Sequence, residues 1–266
     1  MSELFIDDDN AAEHARDFDQ GGEERQRGRV PRDYSAVPYG SMGFAAPFAL
    51  PVIPRSEWSG RIAKMEAEKS RLSDIVLRAG IPSLDQNGTN YCWCNAVITA
   101  METLRAVAND KYVKLSPASV AAPIKGYRNQ GGWGGDALSY IVEHGVAAAE
   151  FWPANYWQSS KYDNEESRAS RARHKVSEWW DLKPRSFDQL MTCLLLRIPV
   201  PIGLNWWGHE VCAMDPVNVG GGRFGVRIRN SWGDGYGDKG FAVLSESKGT
   251  PDDAVAPRVT DAGAIA

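Results

Sequence analysis

Residues 229–241 read RNSWGDGYGDKGF, a glycine-rich turn between two short strand-like runs, Phe224 to Arg229 and Gly240 to Leu244. Two further runs of this kind precede it, Pro199 to Trp206 and Glu210 to Met214. Short apolar runs separated by glycine-rich turns predict strands. The glycine cluster at 220–222 falls between two of the runs and predicts a hairpin turn.

The chain before residue 198 has a different character and is predicted to be mainly helical. Apolar residues recur there at helical spacing. The predicted helices cover Ser56 to Arg78, Cys92 to about Val107, a start at Ser116-Pro117, Asp136 to Glu143, and Ser186 to Arg197. A helical first part and a stranded second part indicate an α+β chain with a cleft between two lobes. The tail beyond Gly249 is small and polar, and we predict no regular structure for it.

Charge and composition exclude several classes of protein. The 266 residues carry a formal charge of −4, and residues 1–30 hold nine acidic and four basic side chains, so the remaining 236 residues sum to +1. A nearly neutral body has no basic surface for phosphate backbones, which argues against a nucleic-acid partner. The longest apolar stretch, 43–54, is about half the length that a bilayer helix needs, which argues against membrane insertion.

The cysteines indicate the compartment. Four residues, Cys92, Cys94, Cys193 and Cys212, are too few for a disulfide framework, and the acidic N-terminus does not look like a secretory signal. We therefore expect a reducing location, either the cytoplasm or the interior of a particle.

Residues 1–55 are predicted to form an extended arm. Its first part is polar and aperiodic, and Val37 to Pro54 is apolar and rich in proline, which favours extended backbone. Two interpretations stay open for this proline-rich segment. It is either a linker or a strap lying in a groove of the body or of a partner, and the strap is also a candidate cleft occupant or cleavage site.

Cys92 is the first candidate for chemistry, because it starts a predicted helix and a helix N-terminus stabilises a thiolate. A thiolate nucleophile also needs a histidine nearby. Of His14, His144, His174 and His209, only His209 opens an apolar strand. Asn230 closes another strand 21 residues later and is a candidate to orient the imidazole.

These residues lie in motifs that resemble the papain-like cysteine peptidases. The motifs are QNGTNYCW at 86–93, GHEV at 208–211 and RNSWGDGYGDKGF at 229–241, supported by LSP at 115–117 and GGW at 131–133. The resemblance covers about residues 75–245. It implies a papain-like two-lobed fold, here with an extended N-terminal arm (1–55), a helical lobe carrying the nucleophile helix (56–180), and a strand-rich, barrel-like lobe with the histidine, the asparagine and the C-terminal tail (181–266).

The resemblance also implies roles for single residues. Cys92 attacks the scissile carbonyl, His209 forms an ion pair with it and then protonates the leaving amine, and Asn230 fixes the imidazole. Gln86 and the Cys92 backbone amide stabilise the oxyanion. The residues expected to bind substrate are Gly131, Gly132, Trp133, Trp207 and Trp232, with Trp232 also shielding the bond between His209 and Asn230.

The sequence departs from the family pattern beside the nucleophile. Thr89 and Asn129 stand where the family usually has a bridged pair of cysteines, which agrees with a reducing location. Asn90 and Tyr91 are bulky and are expected to narrow the cleft. A carboxylate at Glu210 is expected either to raise the pKa of His209 or to compete with Asn230 for its ring.

The predicted function is thus hydrolysis of a protein or peptide substrate through an acyl-enzyme, without a metal or organic cofactor. A metal site is not favoured, because Cys92 and Cys94 are separated by one residue and His209-Glu210 lacks a second histidine. The alternative is a papain-fold scaffold or assembly component of a viral or bacterial particle, with weak or no catalysis and a protein partner for the arm. A third possibility is transfer of the acyl group to an amine instead of water.

Overall fold

The computed structural model describes residues 3–15 and 26–262. The helices in these residues are α1 (Ala11–His14), α2 (Arg55–Ala67), α3 (Leu72–Arg78), α4 (Cys92–Val107), α5 (Ala118–Ile124), α6 (Gly134–His144), α7 (Glu165–Ala172), α8 (Phe187–Leu195) and α9 (Glu246–Gly249). The strands are β1 (Phe5–Ile6), β2 (Ala45–Pro47), β3 (His174–Asp181), β4 (Val200–Leu204), β5 (His209–Gly220), β6 (Arg223–Arg229), β7 (Phe241–Ser245) and β8 (Asp253–Ala262). This combination of helices and strands confirms the predicted α+β class.

The helical half is built around α4. This helix is buried along most of its length because its neighbours cover it on several sides, including α5, α6 and the strands β4, β5 and β8. Its core includes Trp93, Ile98 and Met101, together with Leu138 of α6. The helix begins and ends where its apolar spacing predicts.

The strand-rich half is one mixed sheet of order β1-β7-β6-β5-β4-β8-β3-β2. The four strands expected from the sequence, β4 to β7, pair antiparallel in their order along the chain. Gly220 pairs with Arg223 where β5 turns into β6, which confirms the hairpin predicted at 220–222. The second large core, with Leu190, Ile202 and Val226 among its members, lies against these strands.

Two predictions about elements are wrong. The helix predicted over 56–78 is two helices, α2 and α3, separated at residues 68–71. The tail beyond Gly249 is not irregular, since it contains β8, which pairs with β3 and with β4. Its apolar residues are small, and its partner β3 lies about 80 residues away, so no local pattern reveals the pairing.

The N-terminal arm lies on the body. β1 pairs with β7, and β2 runs parallel to β3. Within the proline-rich segment, Phe48 packs edge-on against Trp180 and the Ile53 amide donates to the Thr192 hydroxyl at 3.0 Å. The segment is therefore a strap on the body and not a free linker.

None of the helices in the described part of the chain is long and apolar enough to cross a bilayer.

Candidate functional site

Cys92 is the first residue of α4 and is completely buried. The backbone amide of Glu210, the second residue of β5, lies within hydrogen-bonding reach of the Cys92 sulfur. The nucleophile candidate from the helical half thus meets the strand that begins with His209. Two stretches 117 residues apart in the sequence come together at this point.

His209 is held by Asn230 and Trp232. The His209 Nε2 atom lies 2.8 Å from the Asn230 Oδ1 atom. The Trp232 indole stacks on the imidazole with ring centroids 4.7 Å apart and an interplanar angle of 22°. The other ring nitrogen, Nδ1, is buried and has no hydrogen-bond partner among residues 3–15 and 26–262. Because Asn230 accepts through its amide oxygen, Nε2 carries the hydrogen and Nδ1 is left as the basic nitrogen.

Gln86 is oriented by Ser231, the residue after Asn230. The Ser231 hydroxyl donates to the Gln86 Oε1 atom at 2.6 Å, so the amide nitrogen Nε2 points away from it. Gln86 Nε2 donates to the carbonyl of Thr89 at 2.7 Å, and to those of Gln26 and Arg27 in the arm at 3.0 and 3.2 Å. The predicted oxyanion donor therefore already binds main-chain carbonyls of an extended segment.

The arm passes along Gly131 and Gly132 with its main chain. The Gly132 amide donates to the Gly28 carbonyl at 3.0 Å, and the Val30 amide donates to the Gly132 carbonyl at 2.8 Å. These bonds form a parallel bridge between Arg29 and Gly132. A Cβ atom at Gly131 would overlap the Gly28 carbonyl oxygen, so the close approach requires glycine there.

The three predicted tryptophans also contact the N-terminal segment. The Arg32 guanidinium lies 4.7 Å from the Trp133 ring centroid. The Trp207 indole nitrogen donates to the His14 carbonyl at 2.9 Å, and that of Trp232 donates to the Gln26 carbonyl at 3.3 Å. All five residues predicted to bind substrate therefore touch the chain's own N-terminal residues.

Burial keeps the two candidate catalytic groups neutral in this covered cleft. It raises the pKa of the Cys92 thiol, and the Glu210 carboxyl adds to that effect. Burial lowers the pKa of His209 to about 3, since the Asn230 hydrogen bond does not compensate for it and the Arg27 cation lowers it further. A thiolate–imidazolium pair is disfavoured while the arm excludes water.

The expectation that Glu210 raises the pKa of His209 or competes for its ring is wrong. Successive residues of a strand point to opposite faces, so the Glu210 side chain points away from the His209 ring. Its carboxylate accepts the Gly134 amide at 3.1 Å. Tyr91, expected to narrow the cleft, is buried in the helical core and donates to the Arg128 carbonyl.

Several residues of the site are not marked as functional by any motif or pattern in the sequence. Ser231 is identified only by its place between Asn230 and Trp232. Arg29 and Arg32 lie in a polar stretch that predicts solvent exposure, but both are buried in ion pairs with the body.

In residues 3–15 and 26–262, no group of three or more His, Cys, Asp and Glu side chains is arranged to hold a metal ion. The site consists of a thiol, an imidazole and amide groups, which suits nucleophilic chemistry.

Comparison with curated proteins identifies cysteine proteases. The chain is 24% identical over 198 residues to the cysteine protease Amb a 11.0101 of Ambrosia artemisiifolia, which is 66% of this chain and 48% of that protein. It is 25% identical over 177 residues to cathepsin L 2 of Paramecium tetraurelia, covering 60% of this chain and 54% of the relative. The chain thus spans about half the length of these relatives. No family model matches it.

Solved structures share the fold. Digestive procathepsin L 3 of Tenebrio molitor matches with a TM-score of 0.63 at 18% identity, over 94% of this chain and 89% of that chain. Xylellain, a cysteine protease of Xylella fastidiosa, matches with a TM-score of 0.60 at 16% identity, over 88% of this chain and 98% of that chain. The chain therefore has the papain-like fold, and its sequence resembles that of papain-like cysteine proteases.

Proposed function

We propose that this papain-fold chain is a cysteine peptidase whose N-terminal arm occupies its own cleft. The observation that carries the proposal is the pattern of contacts made by residues 26–32. This extended segment presents carbonyls to Gln86 and pairs its main chain with Gly132. The cleft thus binds a peptide through the residues predicted to bind substrate.

The proposed reaction begins when a substrate replaces the arm. The Cys92 sulfur, having passed its proton to His209, attacks the carbonyl carbon, and the tetrahedral oxyanion accepts hydrogen bonds from Gln86 Nε2 and the Cys92 backbone amide. The carbon–nitrogen bond then breaks as His209 gives the proton to the leaving amine. Water hydrolyses the thioester that remains, with His209 as the base, and restores the free thiol.

Asn230 and Ser231 support this proposal as positioning residues. Asn230 holds the His209 ring through Nε2 and leaves Nδ1 free to exchange a proton with sulfur. Ser231 fixes the Gln86 amide so that its nitrogen faces the bound peptide. One short segment therefore orients both the base and the oxyanion donor.

Gly28 offers a way to open the cleft without changing the body. Its φ is +114°, and a Cβ atom there would overlap the backbone of Asn90. Gly28→Ala should therefore displace the arm and leave every body residue intact. Gly43→Ala is the matched control, since a Cβ at Gly43 meets no atom within 4 Å.

The test is digestion of a peptide library by full-length variants, read by mass spectrometry. We expect Gly28→Ala to cleave peptides faster than the wild type and Gly43→Ala to match the wild type. Gly28→Ala combined with Cys92→Ala should lose cleavage. Combined with Cys193→Ala it should keep cleavage, because Cys193 is a core residue of α8. Persistent cleavage in the Cys92→Ala chain would contradict the mechanism.

The alternative function is a scaffold with an ordered arm and no catalysis. One observation favours the scaffold function. The arm is held in the cleft by buried ion pairs, Arg29 with Asp253 and Arg32 with Asp181. However, the arm is held by its own body, so its order does not require an assembly partner. If Gly28→Ala exposes Cys92 to a thiol-directed electrophile but no peptide is cleaved or transferred, the scaffold is the better description.

We also propose a reducing compartment. All four cysteines are free and buried. Asn129 accepts a hydrogen bond from the Asn90 amide and donates one to the Gly88 carbonyl. These bonds hold the loop before Cys92 at the position where the family usually has a disulfide.

A further inference from the structure

One side chain of the arm enters the body beside the reaction centre. The Arg29 side chain points away from the extended segment into a slot of the body, where it is 1% exposed. Its Nη2 atom lies 2.5 Å from the Asp253 Oδ2 atom, and its Nε atom donates to the Asn205 Oδ1 atom at 3.1 Å. All the groups that bind the guanidinium belong to the body and not to the arm.

The slot is formed by three neighbouring strands. Gly203 of β4 pairs with Glu210 of β5 on one side and with Asp253 of β8 on the other. Residues in register point to the same face of a sheet, so two carboxylates flank a glycine. A Cβ atom at Gly203 would overlap the guanidinium, so the gap exists only because this residue is glycine.

The charges of the slot favour a cation. Glu210 and Asp253 are both buried, and the Arg29 cation acts on both of them. Burial and the Asp253 carboxylate raise the pKa of Glu210, whereas Arg29 acts to lower it. A buried carboxylate that loses its cation is costly, and the planar guanidinium is the side chain best suited to bind such a group.

The slot also lies where it can bind a side chain of the substrate. The Arg29 main chain bridges to Gly132, and the Glu210 backbone amide lies against the Cys92 sulfur. Arg27, two residues before Arg29, presents its carbonyl to Gln86. A side chain in the slot therefore belongs to a residue within about two positions of the carbonyl under attack.

We infer that the slot formed by Gly203, Asn205, Glu210 and Asp253 is a specificity site for an arginine side chain of the peptide substrate, and that Arg29 occupies it in the covered state. This inference rests on the proposed function, because it names the substrate class of the same cleft. Lysine is the weaker ligand, since it lacks the planar donors that match Asn205 and Asp253 together.

The first test measures the slot without any turnover. Full-length Arg29→Ala is titrated with ethylguanidinium, propylammonium or tetramethylammonium at equal ionic strength, and Tm is recorded. We expect a saturable rise in Tm with ethylguanidinium, a smaller rise with propylammonium and none with tetramethylammonium. The rise should vanish in Arg29→Ala/Asp253→Asn and persist in Arg29→Ala/Asp188→Asn, because Asp188 is an exposed surface acid. If Arg29→Ala does not fold, the Gly28→Ala chain, which displaces Arg29 with the arm, is titrated instead.

The second test reads the cleavage sites of a peptide library digested by the Gly28→Ala chain. We expect arginine to be enriched at one fixed position within two residues of the cut, and the preference over leucine to fall about thirtyfold with Asp253→Asn. Guanidinium binding without any cleavage would support the slot and overturn the proposed function. Cleavage with no arginine preference, or a Tm that responds equally to all three cations, would overturn the slot and leave the proposed function standing.

Discussion

Asn129 connects the loop before Cys92 to the segment before Gly131. Its Oδ1 atom accepts the Asn90 amide at 2.6 Å, and its Nδ2 atom donates to the Gly88 carbonyl at 2.9 Å. The loop that it holds also contains Gln86 and Thr89, which are bonded to each other. One side chain thus fixes the position of the predicted oxyanion donor relative to the glycine pair.

Asn129→Ala should weaken the protein and the site together. It removes the part-buried hydrogen bond to the Asn90 amide and the exposed one to the Gly88 carbonyl, which should lower the unfolding free energy by about 0.5–1.5 kcal/mol. The measurement is urea unfolding of the full-length chain. Asn129→Asp keeps the acceptor for Asn90 and loses only the donor to Gly88, so it should lose less. Equal stability of all three proteins would show that Asn129 does not hold the loop.

At this scale the sequence predicts residues whose type is required by the chemistry, and it misses those whose role depends on a distant partner. The residue types of Cys92, His209 and Asn230 suit nucleophilic catalysis, and motif spacing selects them from the other cysteines and histidines. Arg29 is ordinary in a charged stretch, because its partner Asp253 lies 224 residues away. The sites named from the sequence remain predictions until the variants above are measured.

The break between α2 and α3 shows how one element differs from its predicted form. Lys69 adopts a left-handed φ of +50°, and the Ser70 and Lys69 amides donate to the carbonyls of Met65 and Glu66. These two bonds form a Schellman motif, which ends α2. The charged residues 68–71 continue the helical spacing, so the sequence predicts one helix. Packing of α2 on α8 and β5, together with packing of α3 on α4, stabilises the turn between the two helices.

Lys69→Gly should stabilise the protein, since glycine adopts the left-handed conformation without a Cβ penalty. The expected gain is up to about 1 kcal/mol, measured by thermal and urea unfolding. Lys69→Val should be destabilising, because a β-branched residue fits this φ poorly. If Lys69→Gly were less stable than the wild type, the strain at this position would not limit the stability of the turn.

The strand β8 lies in a tail for which the sequence predicts no regular structure. Ala254, Val255 and Ala256 are buried, but the two alanines have low strand propensity and Pro257 follows them directly. Their place in the sheet comes from pairing with β3 and β4, which are remote in sequence. Elements with strong local periodicity, such as α4, could be predicted almost to the residue. Elements specified by their partners could not.

At the scale of the whole molecule, the arm covers the cleft. Arg32 forms two bonds with the Asp181 carboxylate, at 2.7 and 2.9 Å, and stacks on Trp133. Asp181 also accepts the Gly40 amide, so one buried carboxylate holds two points of the arm. The composition of residues 26–32 predicts solvent exposure, because this part of the arm contains few apolar residues. It is ordered by charge pairs that only the complete fold provides.

Acid should open the cleft. In the covered protein the pKa of His209 is about 3, against an ordinary value of 6.5, because burial keeps water from the ring. An open cleft hydrates the imidazole and moves its pKa back toward 6.5. Between pH 6.5 and 3 the open form therefore binds more protons, so each unit of acidification shifts the equilibrium toward opening by up to about tenfold.

The measurement is hydrogen exchange at the Val30 and Gly132 amides, which bond across the arm and the cleft. After correction for the intrinsic pH dependence of exchange, protection at these amides should fall as the pH is lowered from 7 to 5. Protection within α4 should be retained, because its core does not depend on the arm. His209→Asn should flatten the response of Val30, since it removes the group that takes up the proton. An unchanged response in that variant would assign the opening to another titratable group. Constant protection at both pH values would mean that His209 keeps its depressed pKa without the arm.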